Sequence, residues 1–338
     1  MKAYPLRAIN EIQYEDVSCP DCPAGWSIVK VRAAGICSSD IPRIFTKGTY
    51  HFPTIPGHEF SGVVYQVADK ENERLIGKKV GIFPLIPCRK CEQCSQGKYE
   101  MCSHYDYIGS RRDGGFAEYV AVPVWNLIEL SDDTSFEEAA MLEPLAVSLH
   151  AVKRLCVKPT DDVAIVGTGM IAFAAAQWIC RMGAKSVTVL GRSEKKRRLA
   201  EAIPGICYSI MSECHREYDA VLEAVGSNQA ISLSINLAKP GGRIVLMGNP
   251  EGTIELSQDT YWRILRRQLE VTGTWNSSYD GKGQSDWTEV REALADHSMQ
   301  IRSLISHRFN QDQLPEALAL MREHKEPYCK IMTIWGED

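Results

Sequence analysis

The 338-residue sequence predicts an α/β protein with a β-rich first half and a doubly wound parallel sheet in the second. Three observations predict it. The length is too great for one comfortable core and suits two domains. Up to about residue 145 the chain is rich in Gly, Pro and short β-branched runs with turn-like borders, such as WSIVKVRAAG, FSGVVYQVA and KKVGIFPL. Past Pro159 apolar runs alternate with helical stretches: DDVAIVG, MIAFAAAQWICRMGA, SVTVLG, SEKKRRLAEAI, YDAVLEAVG, NQAISLSINLAKP, GRIVLMG and QLEVTGTW. Strands alternating with helices imply parallel βαβ units. A helical segment QLPEALALMREHK and a short strand KIMTIW close the chain, and on pattern alone they could return to either half.

Composition narrows the function classes. A formal net charge of −5 offers no basic face to nucleic acid and no polybasic membrane patch. The start, MKAYPLRAINEIQYEDV, lacks the apolar run of a signal peptide, and no later segment gives the roughly 18 apolar residues that span a bilayer. The chain therefore reads as cytoplasmic. Its twelve cysteines then point to metal before disulfides.

Cys88-x2-Cys91-x2-Cys94-x7-Cys102 supplies four thiolates, the set of a closed tetrahedral structural zinc site. The surrounding PCRKCEQCSQGKYEMC is too polar to fold on a core of its own, so metal binding would supply its folding energy. Cys19 and Cys22, also spaced C-x-x-C, sit among prolines with no partner pair and read as a solvated loop. Cys156, Cys180 and Cys207 lie among apolar residues and read as core filler.

A second set, Cys37, His58, Glu59 and Glu143, is suited to a catalytic zinc. One thiolate, one imidazole and one carboxylate leave a fourth position for water or a substrate oxygen. Asp40 could fix the tautomer of a ligating His58, and Ser39 could carry a proton away. On residue types alone the signal is weak, because Gly57-His58-Glu59 suits an ordinary loop equally well.

The cofactor signal is stronger. Gly167-Thr168-Gly169-Met170-Ile171-Ala172 follows an apolar strand and opens a helix. Its glycines permit the tight turn and the close approach of a pyrophosphate, and Ala172 is small enough for helix–strand packing. This is a Rossmann dinucleotide-binding pattern, with the phosphates on the helix N-terminus. Where NAD-binding relatives carry an acid at the end of the next strand, this chain has Gly191, then Arg192, Ser193, Lys195, Lys196 and Arg197. An acid there would repel a 2′-phosphate and an Arg would pair with one, which predicts NADP in preference to NAD.

The segments GICSSD, PGHEFSG, the four-cysteine lobe, RRDGGFAEY, MLEPLAVSLHA and VGTGMIA occur in the order typical of zinc-containing medium-chain dehydrogenases/reductases, and the resemblance covers essentially the whole chain. Glu143 in MLEPLAV resembles the sorbitol-dehydrogenase-like members. SDIPRIF, YDYIGSRRDGGFAEY and RILRRQLEVTGTWNSS are most similar to the galactitol-1-phosphate 5-dehydrogenase family. The resemblance implies a GroES-like catalytic domain (1–147, zinc lobe about 86–104), a Rossmann domain (148–284) and a C-terminal segment (285–338) returning to the catalytic domain. It implies two zinc ions per chain, one held by Cys37, His58 and Glu143 with Glu59 as an exchanging ligand, the other by Cys88, Cys91, Cys94 and Cys102. A homodimer or homotetramer is expected, built through QLEVTGTW.

The expected activity is hydride transfer between the cofactor and a secondary alcohol of a polyol or polyol phosphate. Zinc would lower the pKa of the substrate hydroxyl, and Ser39 would relay the proton. Arg43, Arg111, Arg112 and Trp275 are candidates for holding the substrate. An unphosphorylated polyol or other secondary alcohol is the alternative. A methyltransferase also uses a Gly-rich strand–helix turn but has no use for the Cys37/His58/Glu143 set. A zinc-stapled structural protein needs no open metal site.

Overall fold

The computed structural model describes residues 1–336. It divides into two compact units, Met1–Glu143 with Ser278–Asp338, and Pro144–Ser277.

The first unit is built on an antiparallel sheet. Strand β1 (Trp26–Ile36) pairs with β2 (Glu59–Val67), β2 with β3 (Lys79–Ile82), β4 (Tyr119–Pro123) with β1, and β5 (Leu127–Glu129) with β3. Val29, Val31, Phe60, Val64, Val80 and Val120 from these strands enter one core with Tyr4, Phe116 and Trp335. Gly57, at φ 97°, turns the chain into β2 where a Cβ would press on the Phe116 ring. That turn places His58 and Glu59 at the mouth of the sheet. Helix α1 (Leu142–Leu155) opens with Glu143 in its first turn.

The second unit carries β6 (Asp162–Val166), α2 (Met170–Arg181), β7 (Ser186–Gly191), β8 (Ile206–Ile210), β9 (Tyr218–Glu223), α3 (Asn228–Leu237), β10 (Ala238–Leu246), α4 (Gln258–Arg266) and β11 (Glu270–Gly273). The strands are parallel in the order β8-β7-β6-β9-β10-β11. All five residues of β6 are buried, as expected of a strand covered on both faces. Ser227 and Ser257 cap α3 and α4 by accepting the Ala230 and Thr260 amides.

The tail supplies α5 (Asp286–Ala295), β12 (Ile305–Asn310), α6 (Leu314–Glu323) and β13 (Lys330–Ile334). β13 lies antiparallel to β1 and parallel to β12, so the chain's last strand sits inside the first unit's sheet. Trp335 beyond it is fully buried.

Three sequence expectations are corrected. Cys156 and Cys207 are exposed, not core, and Cys180 is only partly buried. Cys156 follows the last residue of α1 at φ 50°, a helix-terminating position that turns its side chain out. Cys207 points to solvent from the sheet's outermost strand. The stretch SEKKRRLAEAI forms a single 3-10 turn, Glu194–Lys196, and a five-residue helix, Arg197–Glu201. The helix expected over NQAISLSINLAKP stops at Leu237, because Pro240 disfavours helical backbone at Lys239 and the chain enters β10. No helix of the described residues is long and apolar enough to cross a membrane.

Candidate active site

The polar four-cysteine lobe brings its sulfurs together. Cys88, Cys91, Cys94 and Cys102 bring their Sγ atoms within 4.8 Å of one another. The Cys88–Cys94 and Cys91–Cys102 sulfur pairs stand at 3.9 Å, and the Cys88 amide donates to Cys102 Sγ at 3.3 Å. Backbone amides of Cys94 and Ser103 pull the Cys91 thiol down to about 6, which favours the thiolate a metal needs. Arg89, held at φ 57° between the first two cysteines, lays its guanidinium over the Trp125 ring at 4.4 Å. This donor set is closed and fits a structural zinc.

The second set forms where β1 ends and β2 begins. Cys37 follows the last residue of β1, and His58 and Glu59 lie at the start of β2; their ligand atoms fall within 4.8 Å of one another. Asp40, completely buried in a short helix, accepts the Cys37 amide at 3.0 Å and Arg43 Nη1 at 2.5 Å. Its Oδ1 also stands 3.5 Å from His58 Nδ1, a buried nitrogen with no hydrogen-bond partner. The carboxylate thus claims the Nδ1 side of the ring and leaves Nε2 for a metal. Burial would lower the His58 pKa, but Asp40 and Cys37 outweigh it and hold it well above the ordinary value. Metal binding displaces such a proton.

The grouping takes in Glu59 but not the expected ligand Glu143; both carboxylates are buried, and each has a donor. Lys330 Nζ, from the first residue of β13, pairs with Glu59 Oε2 and donates to the Ile36 carbonyl at 3.2 Å. The Tyr107 hydroxyl donates to Glu143 Oε1 at 3.1 Å, and its ring packs against His58 at 5.8 Å. Burial pushes Glu143 up to about 7, against the pull of His58 and with Glu59 adding like charge. One thiol, one imidazole and two carboxylates, of which one is neutralised by a lysine, fit a divalent metal with an open position.

In the second unit, Gly167 (φ 130°) makes the turn after β6, and a Cβ on it would crowd Val225 and the Ala224 carbonyl. A Cβ on Gly169 would meet nothing within 4 Å, so the N-terminus of the 12-residue α2 stays open for a ligand's phosphates. Ala172 is buried against the sheet.

Residues 23–132 match the alcohol dehydrogenase GroES-like domain, and residues 167–296 match the zinc-binding dehydrogenase domain. Galactitol 1-phosphate 5-dehydrogenase of Escherichia coli (strain K12) is 35% identical over 303 residues, 86% of this chain and 87% of that protein. The chain belongs to the zinc-type alcohol dehydrogenase family. It superimposes on the crystal structure of galactitol-1-phosphate dehydrogenase from Escherichia coli with a TM-score of 0.90, at 31% identity, covering 99% and 100% of the two chains. A putative zinc-binding dehydrogenase from Sinorhizobium meliloti 1021, bound to NADP, gives 0.88 at 28% identity and 98% coverage of both chains.

This dehydrogenase places the other expected residues unevenly. Ser39 lies half-buried beside Cys37 and Asp40. Arg43 is committed to Asp40, and Arg112 pairs with Asp106. Arg111 is stacked between the Tyr50 and Tyr105 rings, at 4.3 and 4.2 Å, with Nη1 on the Tyr105 carbonyl. Trp275 is exposed in the second unit. Arg192 and Ser193 are exposed after β7, whereas Arg197 pairs with Glu194 and covers the Tyr208 ring.

Sequence reasoning missed four residues of the dehydrogenase. Tyr107 and Lys330 are far from the ligand motifs in sequence. Tyr208 donates to the Ser193 carbonyl at 2.6 Å, and its hydroxyl fills the place a Cβ on Gly191 would take. Glu223, fully buried at the end of β9, accepts the amides of Val225 and Gly226 at 2.8 Å and of Gly248 at 3.2 Å. It staples together two loops at the C-terminal edge of the sheet, where open α/β sheets bind ligands. The motif EAVGS offered a signal for Glu223: an acid before a Gly-containing turn at a strand end.

Proposed function

We propose that this dehydrogenase oxidises a secondary alcohol of a polyol phosphate with NADP, holding two zinc ions per chain. The observation that carries the reading is the grouping of half-buried Cys37 with buried His58 and Glu59, an open donor set distinct from the closed four-cysteine lobe. Cys37, His58 and Glu143 would hold a zinc ion, which would supply the acidity that lowers the pKa of the substrate hydroxyl, and a bound nicotinamide would supply the hydride acceptor. Asp40 orients His58, Lys330 restrains Glu59 beside the metal, and the Ser39 hydroxyl passes the substrate proton outward. Gly167, Gly169, Met170 and Ile171 offer the turn and the helix start to the pyrophosphate, with Arg192 and Ser193 nearest the 2′-phosphate. Of the three candidate arginines, Arg111 is the cation for a substrate phosphate, since Arg43 and Arg112 are paired with Asp40 and Asp106.

A panel of hexitols and their phosphates, assayed with NAD and NADP, tests this. The phosphorylated substrates are expected to exceed the free polyols at least about tenfold in kcat/KM, the scale of one charge-assisted pair. Free polyols turned over as well as their phosphates would favour the second reading, an unphosphorylated substrate. That reading draws on the guanidinium commitments of Arg43, Arg111 and Arg112 to Asp40, two tyrosines and Asp106.

The functional assembly is a homodimer or a dimer of dimers. β11 is an edge strand exposed at all four positions, Val271 among them, and Ile254, Leu256, Tyr261, Leu265 and Trp275 are exposed in the flanking sequence. Such an edge is completed by a second copy of itself. Light scattering at micromolar concentration is expected to give at least twice the chain mass; a monomer would remove the idea. The reading places the enzyme in the cytoplasm, where its twelve unpaired cysteines stay reduced.

A further inference from the structure

We infer that Tyr50, together with Tyr105, is a positioning residue that holds the Arg111 guanidinium edge-on for a substrate's phosphate and so sets a preference for phosphate monoesters. The inference deepens the proposed function and rests on its reading of Arg111 as the phosphate-binding cation.

The guanidinium lies between two phenol rings, 4.3 Å from the centre of the Tyr50 ring and 4.2 Å from that of Tyr105. Nη1 donates to the Tyr105 carbonyl at 2.6 Å and Nη2 to the Tyr50 hydroxyl at 3.2 Å. A guanidinium carries five N–H donors in one plane, so three remain to it. Rings on both faces confine an approaching anion to that plane, which is the geometry of a bidentate guanidinium–phosphate pair. They also keep water off both faces, which strengthens the remaining hydrogen bonds. Arg43 and Arg112 each face a carboxylate, whereas Arg111 meets none among the described residues.

The two tyrosines are placed by different means. Tyr105 is half-buried and packs edge-on to Tyr107 at 6.1 Å. Tyr50 is 70% exposed, so its ring is held by the guanidinium and not by a core. The loop that carries it is fastened to the Arg111 loop through His51, whose Nε2 donates to the Arg111 carbonyl at 2.9 Å. Fully buried Thr54 anchors that histidine by donating to its carbonyl at 2.6 Å. The Arg111 amide in turn donates to the Tyr107 carbonyl at 2.9 Å, and the Tyr107 side chain packs against His58 and donates to Glu143. The clamped cation therefore shares a loop with the residue that adjoins the candidate metal ligands.

The test is steady-state kinetics of the full-length enzyme with a hexitol phosphate, using inorganic phosphate as a competitive inhibitor. Tyr50→Leu is expected to raise both the KM of the phosphorylated substrate and the Ki of inorganic phosphate about tenfold, within the range of a partly desolvated cation–π contact, with little change in kcat. Tyr50→Phe keeps the ring and should stay close to the wild type. Arg111→Lys keeps the charge without the plane and should lose at least as much as Tyr50→Leu. Because Tyr50 is exposed, the thermal midpoint of Tyr50→Leu should match that of the wild type. Wild-type KM and Ki in Tyr50→Leu, or a Tyr50→Phe enzyme as impaired as Tyr50→Leu, would overturn the positioning role. Arg111→Leu with wild-type constants, or a wild type that turns over no phosphorylated hexitol, would instead overturn the reading of Arg111, and the role of the tyrosines with it.

Discussion

Cys37→Ser is expected to lower kcat/KM by roughly a thousandfold, about 4 kcal/mol at 1.4 kcal/mol per decade, while leaving the protein folded. The thiol is one of the two negative ligands of the proposed site, and a serine hydroxyl stays neutral near pH 7 and binds zinc poorly. Elemental analysis should fall from two zinc ions per chain to one. Cys94→Ser should behave in the opposite order. Cys94 is buried within the four-sulfur lobe, so its loss would open a closed site whose proposed metal would supply folding energy. Its thermal midpoint should drop by at least about 5 °C, since roughly 1 kcal/mol moves Tm by 2–4 °C in units of this size. A wild-type enzyme with one zinc and full activity after chelation would sink the catalytic assignment.

The second large effect concerns the cofactor. kcat/KM with NADP is expected to exceed that with NAD by at least about tenfold, because a cation beside the ribose contributes about 1.5–3 kcal/mol toward a 2′-phosphate. Arg192 is the cation in question, exposed directly after Gly191. The structure changes how a reversal must be made. A side chain at Gly191 would collide with the Tyr208 hydroxyl, which is held by the Ser193 carbonyl. Gly191→Asp alone is therefore expected to weaken both cofactors. Preference for NAD should emerge only when Tyr208→Ala and Arg192→Ser accompany it. Equal efficiencies in the unmodified enzyme would show that the basic run is merely a solvated face.

What was legible in the sequence followed from local spacing. The four cysteines and the glycine turn carry their chemistry within fifteen residues or fewer, and the alternating runs announced the parallel sheet. Features that depend on chain crossing were not legible. Lys330 meets Glu59 across 271 residues and Tyr107 meets Glu143 across 36, with no periodicity to announce either pair. Cys156 and Cys207 misled for a related reason. Apolar neighbours in sequence say little about the facing of a residue at a helix end or on an edge strand. Tyr208 was invisible because only the fold of β8 beside β7 brings its hydroxyl under Gly191.

The insertion of β13 between β1 and β12 sets an order of assembly during synthesis. The stretch Pro144–Ser277 is contiguous, so the cofactor unit can complete itself while the remaining residues are still being added. The catalytic unit is discontinuous and must wait. Until Lys330 arrives, Glu59 is without its countercharge and β1 has a free edge along Ala33–Ile36. Although the motifs of the proposed site are translated first, that site is expected to be among the last parts of the molecule to close.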